Sequence, residues 1–130
     1  MKQGIQADLL EIGKAGCYFL SICQFANASM DKVVEKYNEY VAKGWMDQNC
    51  YIRDPVNILS DLTGKSWKYR WSNKPDDNAT LSIGYWRKGA SGHFVIMENG
   101  SEKVKWDSYG ENSPVVKGGK IDSFRLFYEI

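Results

Sequence analysis

One histidine, three cysteines, an almost even charge balance and no long apolar run set the limits of this 130-residue chain. Cys17, Cys23 and Cys50 form an odd set without the paired spacing of a zinc site, and a single histidine cannot complete one. They are also too few to staple a domain of this size, so reduced thiols are expected. With 17 basic against 16 acidic residues there is no cationic excess to meet nucleic-acid phosphates, and no DNA or RNA partner is expected. No stretch reaches the roughly 18 apolar residues of a membrane span, and Met1 to Asp8 lacks the apolar core of a signal peptide. The expectation is a cytoplasmic protein without membrane insertion. No repeat, low-complexity tract or linker interrupts residues 1–130, which read as one domain.

What is present falls into two halves. Residues 16–27 are apolar on nearly every side and predict a buried helix, with Gly16 allowing close backbone approach at its start. From Ser29 or Asp31 to Lys43, apolar residues at Val33, Val34, Tyr37, Tyr40 and Val41 recur at helical spacing, and Gly44 supplies a stop. Asp54-Pro55 pairs an N-cap with the one helical position that suits proline, predicting a short helix that ends at Gly64. Beyond Gly64 the apolar period drops to two. Five strands are predicted, over 67–71, 80–86, 93–97, 103–106 and 124–128, with a hairpin turn at Asn99-Gly100 and a turn at Gly118-Gly119. The fold class is α+β, with N-terminal helices packed on a mostly antiparallel sheet.

Aromatic residues crowd the strands. Trp67, Tyr69 and Trp71 alternate with Lys68 and Arg70, so the three rings share one face. The expectation is that they fill the core between sheet and helices, with stacking on sugar rings or a place in a groove wall as the alternatives.

The residues able to carry chemistry are Cys17, at the start of the buried helix, and His93, which opens the apolar run Phe94-Val95-Ile96-Met97. A thiol is a weak nucleophile at neutral pH until an imidazole withdraws its proton. Asp107, after the strand that follows the Asn99-Gly100 turn, would fix the orientation of that imidazole. Unpaired N–H groups and the positive end of the helix dipole favour a thiolate at Cys17, and the same N–H groups can meet an oxyanion. Cys23 and Cys50 read as inert core.

A Cys opening a buried helix, Gly92-His93 leading an apolar strand, and an Asp after the next strand resemble the papain-like cysteine peptidases in their compact form. The pattern is most similar to the bacteriocin-processing peptidase group, and Gly16-Cys17-Tyr18-Phe19-Leu20-Ser21 is also similar to small phage and spirochaete plasmid proteins. The resemblance implies a Cys17–His93–Asp107 triad acting on an amide bond in a peptide or a peptidoglycan stem or cross peptide, with no cofactor and no metal. Relatives carry a Gln about six residues before the nucleophile to complete the oxyanion hole. Here that position holds Glu11, so the role passes to Gln6, together with the Cys17 backbone N–H. Tyr18 replaces the Gly or Trp that usually follows the nucleophile. Two alternatives remain open: a papain-like binding module without turnover, and a thiol acyltransferase.

Overall fold

The computed structural model describes all residues except Lys14 and Asn112, and all side chains other than theirs and those of Leu10 and Glu11. A 3-10 turn, Ile5–Asp8, leads into α1 (Leu10–Gly13), α2 (Cys17–Phe25), α3 (Met30–Lys43) and α4 (Pro55–Thr63). The strands are β1 (Trp67–Ser72), β2 (Leu81–Lys88), β3 (Ser91–Met97), β4 (Val104–Trp106) and β5 (Lys120–Glu129), with α5 (Pro114–Gly118) before the last. They form one sheet in the order β1-β5-β2-β3-β4, antiparallel throughout. The architecture is therefore α+β, as the change of period at Gly64 predicts. No helix among the described residues is long and apolar enough to cross a membrane.

Helix α2 is apolar all round because it lies inside. Phe19, Leu20, Ile22 and Cys23 are fully buried and share a core with Ile58 and Leu59 of α4 and Leu81, Ile83, Ile96 and Phe127 of the sheet. Gly16 is required at its start, since a Cβ there would lie 2.2 Å from the Ile12 carbonyl oxygen. Side-chain caps set the next two helices: Ser29 accepts from the Lys32 N–H, and Asp54 from the Asn57 N–H. Gly44 and Gly64, both left-handed, end them. Just before α4, the Arg53 and Asp54 N–H groups both donate to the Trp45 carbonyl, at 2.8 and 3.0 Å, which fixes the segment carrying Tyr51 to Arg53. Asp54→Ala is expected to cost roughly 1 kcal/mol, measured by urea unfolding.

A second, smaller core lies on the opposite face of the sheet, where Val95, Met97, Phe124 and Leu126 are covered by Val116 of α5 and by Ile121. Helix α5 was not expected. With five residues it is too short to display a helical period, although Pro114 at its first turn repeats the signal that marks Pro55. The turn expected at Gly118-Gly119 is the end of this helix, and β5 starts at Lys120, four residues earlier than the apolar alternation indicates. The 3-10 turn and α1 were also unforeseen, being single turns of chain. The other strands match their expected spans within two residues at each end.

The pairing of β3 positions the site. β4 pairs with it only through Ile96 and Met97, so among the described residues the first half of β3 has no strand on that side. The first turn of α2 occupies the gap.

Candidate active site

The three residues singled out in the sequence meet at this gap. His93 Nε2 lies 2.6 Å from Asp107 Oδ1, and both side chains are buried, at 6 and 2 % exposure. With Nε2 committed to the carboxylate, Nδ1 is the ring nitrogen left to interact with the Cys17 sulfur. Cys17 is partly exposed, and its Sγ also accepts the Phe94 backbone N–H at 3.4 Å. The thiol is thus held between the edge of β3 and the imidazole, at the first residue of α2.

Burial works against a charged imidazole at this position. The Asp107 carboxylate, then the Cys17 sulfur, outweigh it and push the His93 ring up to about 9. The ring therefore holds a proton at neutral pH. Asp107 is fixed in turn: its Oδ1 accepts the Tyr109 N–H at 2.8 Å, and its own N–H donates to Gln3 Oε1 at 3.2 Å. This arrangement can hold the thiol's proton on the ring while the carboxylate keeps the ring aligned.

Gln6 lines the same cleft. Its backbone N–H donates to the Ser108 carbonyl at 2.8 Å, and its side-chain oxygen accepts the Ser108 hydroxyl, also at 2.8 Å. A carboxamide whose oxygen is so engaged has its NH2 left to donate. The N-terminal segment is stitched to the Asp107 loop by further bonds, Gly4 N–H to the Asp107 carbonyl and Trp106 Nε1 to the Met1 carbonyl. The 3-10 turn explains how Gln6 reaches the site from so far upstream of Cys17: it folds back beneath α1, with Gly13 packed directly on the Gln6 carbonyl. The orientation of Glu11, the residue six positions before Cys17, lies outside the described side chains.

The cleft has a volume of about 720 Å³. Its sheet side is made by Tyr69 and Trp71 of β1, Arg125 of β5, Tyr85 of β2 and Phe94 of β3. The strand registers place these on one face, Trp71 opposite Arg125 and Tyr85 opposite Phe94. The helices cover the lower part of that face and leave this part open. Here the expectation of an aromatic core is corrected. Trp67 is buried, but Tyr69 and Trp71 are 39 and 55 % exposed and line the open cleft.

Cys23 is fully buried, and burial pushes its thiol far up. Cys50 is buried too, and burial first, then Cys17 and Asp47, push it up to about 11. It belongs to the core cluster and also lines the wall of the cleft with Tyr51 and Arg53. Sequence reasoning also missed Arg125. The available signal was a lone charge inside the apolar run Phe124-Arg125-Leu126-Phe127.

Fold and site together define an α+β domain with a thiol–imidazole–carboxylate cluster in an aromatic cleft. The chain belongs to the family described as "Protein of unknown function, DUF261", whose model matches residues 1–129. No curated protein and no solved structure matches it.

Proposed function

We propose that this protein is a papain-like cysteine hydrolase that cleaves an amide bond in a peptide or a peptidoglycan-derived peptide. The observation that carries the reading is that Asp107 Oδ1 engages His93 Nε2 at 2.6 Å, leaving Nδ1 for the interaction with the Cys17 sulfur at the cleft. Cys17 Sγ attacks the substrate carbonyl carbon, forming a C–S bond as the carbonyl π electrons move to oxygen. The oxyanion is met by the Cys17 backbone N–H and the Gln6 amide. Collapse of the intermediate breaks the C–N bond, and the departing amine takes the proton from His93. Water then attacks the thioester with His93 as base, releasing the acid and restoring the thiol. Three free cysteines suit such an enzyme to a reducing compartment such as the cytoplasm. The free Gln6 amide weighs against a binding module without turnover, since the case for that alternative was a missing donor.

Selective alkylation tests the reading. Iodoacetamide at about pH 6, where an ordinary thiol is almost wholly protonated, should label Cys17 ahead of Cys23 and Cys50, with mass spectrometry assigning the label. Labelling of Cys17 only as pH approaches the ordinary thiol range of about 8.5 would show that no nucleophile is activated.

A further inference from the structure

Arg125 is the unusual member of the cleft. Its guanidinium lies 6.0, 5.7 and 5.4 Å from the ring centroids of Trp71, Tyr85 and Phe94, and Nη1 donates to Ser123 Oγ at 2.8 Å. No carboxylate among the described residues pairs with it, although ion pairs are frequent elsewhere on this chain. None of the described residues lining the cleft is Asp or Glu, and a second cation, Arg53, at 4.0 Å from Asp47, lines it too. The cleft thus places on an aromatic floor a guanidinium with no direct carboxylate partner, Asp122 reaching it only through Ser123 Oγ, and partial desolvation there strengthens its interaction with an anion.

A second observation points to the same place. Tyr18 stacks on Phe94 at 4.4 Å, and its hydroxyl is buried with no hydrogen-bond partner among the described residues. Burial keeps its proton in place, so it is a donor without an acceptor. An orphaned buried donor and an unpaired guanidinium flanking one ring are what a bound carboxylate would satisfy together.

We propose that the cleft is selective for acyl substrates carrying a carboxylate beside the scissile amide, bound by Arg125 with the Tyr18 hydroxyl as a second donor. The proposal rests on the thiol-hydrolase reading for its scissile bond and extends it to substrate class. Tyr69, Trp71 and Tyr85 would pack against the apolar stem that carries the carboxylate. Arg125 and Tyr18 are then specificity residues, distinct from the three that perform the chemistry.

The test uses two affinity reagents differing in one group, N-bromoacetyl-glutamic acid α-amide and N-bromoacetyl-glutamine α-amide. Their second-order rates at Cys17 are compared, with iodoacetamide as the small neutral reference. The acidic reagent should react on the order of tenfold faster than its neutral partner, the lower end of what a charge-assisted hydrogen bond supplies. The ratio should fall to about one in Arg125→Gln, with folding checked by circular dichroism. Arg125→Met, which keeps the packing of the stem on the rings, serves if the Gln variant is not folded. Equal rates in the unmodified protein, or a ratio that survives both substitutions, would overturn the proposal. If iodoacetamide singles out Cys17 but the two reagents do not differ, only the carboxylate pocket fails. If iodoacetamide does not single out Cys17, it is the hydrolase reading that fails.

Discussion

In His93→Ala, Cys17 is expected to lose on the order of tenfold in alkylation rate at about pH 6, and its pH–rate profile should become a single rise near the ordinary thiol value of about 8.5. Two opposing effects set the magnitude. At pH 6 an ordinary thiol is ionised to well under about 1 %, so losing the imidazolium removes most of the nucleophile. A thiolate stabilised by an ion pair is also intrinsically less nucleophilic, which returns part of the difference. The shape of the profile is therefore more decisive than the rate at one pH. Cys23→Ser should leave the profile unaltered, because Cys23 is sealed in the core and takes no part in the cleft. Turnover should suffer more than alkylation, by on the order of 10²–10⁴, because it also needs the proton that His93 returns to the leaving amine.

The second large effect concerns the ring itself. His93 is the chain's one histidine, so a proton NMR titration of the imidazole reports on this site alone. Its midpoint is expected at about 9. In Asp107→Asn the carboxylate that opposes burial is gone, and the midpoint should fall by more than a unit, toward or below the ordinary value of about 6.5. The sign for stability follows by linkage. A ring whose pKa is higher in the folded state contributes fully below about 6.5, and that contribution is lost as pH rises through 9. Cys17→Ala removes the sulfur's share of the upward push and leaves the Asp107 share to be read alone. In that background the unfolding free energy should still fall as pH rises above about 6.5, by about 1–2 kcal/mol, and Asp107→Asn should flatten the slope. A flat profile before Asp107 is changed would mean that the His93–Asp107 bond does not favour the charged ring.

Arg125 and the Cys17–His93–Asp107 cluster differ in how visible they were. Cys17 and His93 stood out because each heads an apolar segment, and a polar residue at such a boundary is placed by the element that follows it. Arg125 lies within a segment, and period-two alternation assigns it to a face without saying whether that face is covered. Trp71 shows the same limit. It shares its strand face with the buried Trp67, yet is more than half exposed, at 55 %, because its part of that face lines the open cleft.

The sequence by itself determined the helix-first, strand-later layout, the caps at Ser29 and Asp54 and the stops at Gly44 and Gly64. These follow from local physics: the periodicity of burial, orphaned N–H groups seeking an acceptor, and left-handed backbone that glycine adopts freely. It also supplied the order Cys17, His93, Asp107. Only the tertiary structure decided that Nε2 faces Asp107 and leaves Nδ1 for Cys17, that a 3-10 turn brings Gln6 back to the cleft, and that Arg125 lies open between aromatic rings. Those outcomes depend on contacts between residues up to about a hundred positions apart, such as Gln6 with Ser108, and on where the short strand β4 stops covering β3. Neither leaves a trace in the spacing of residues along the chain, because pairing across such distances is settled by which packed arrangement buries the most apolar surface while satisfying its polar groups.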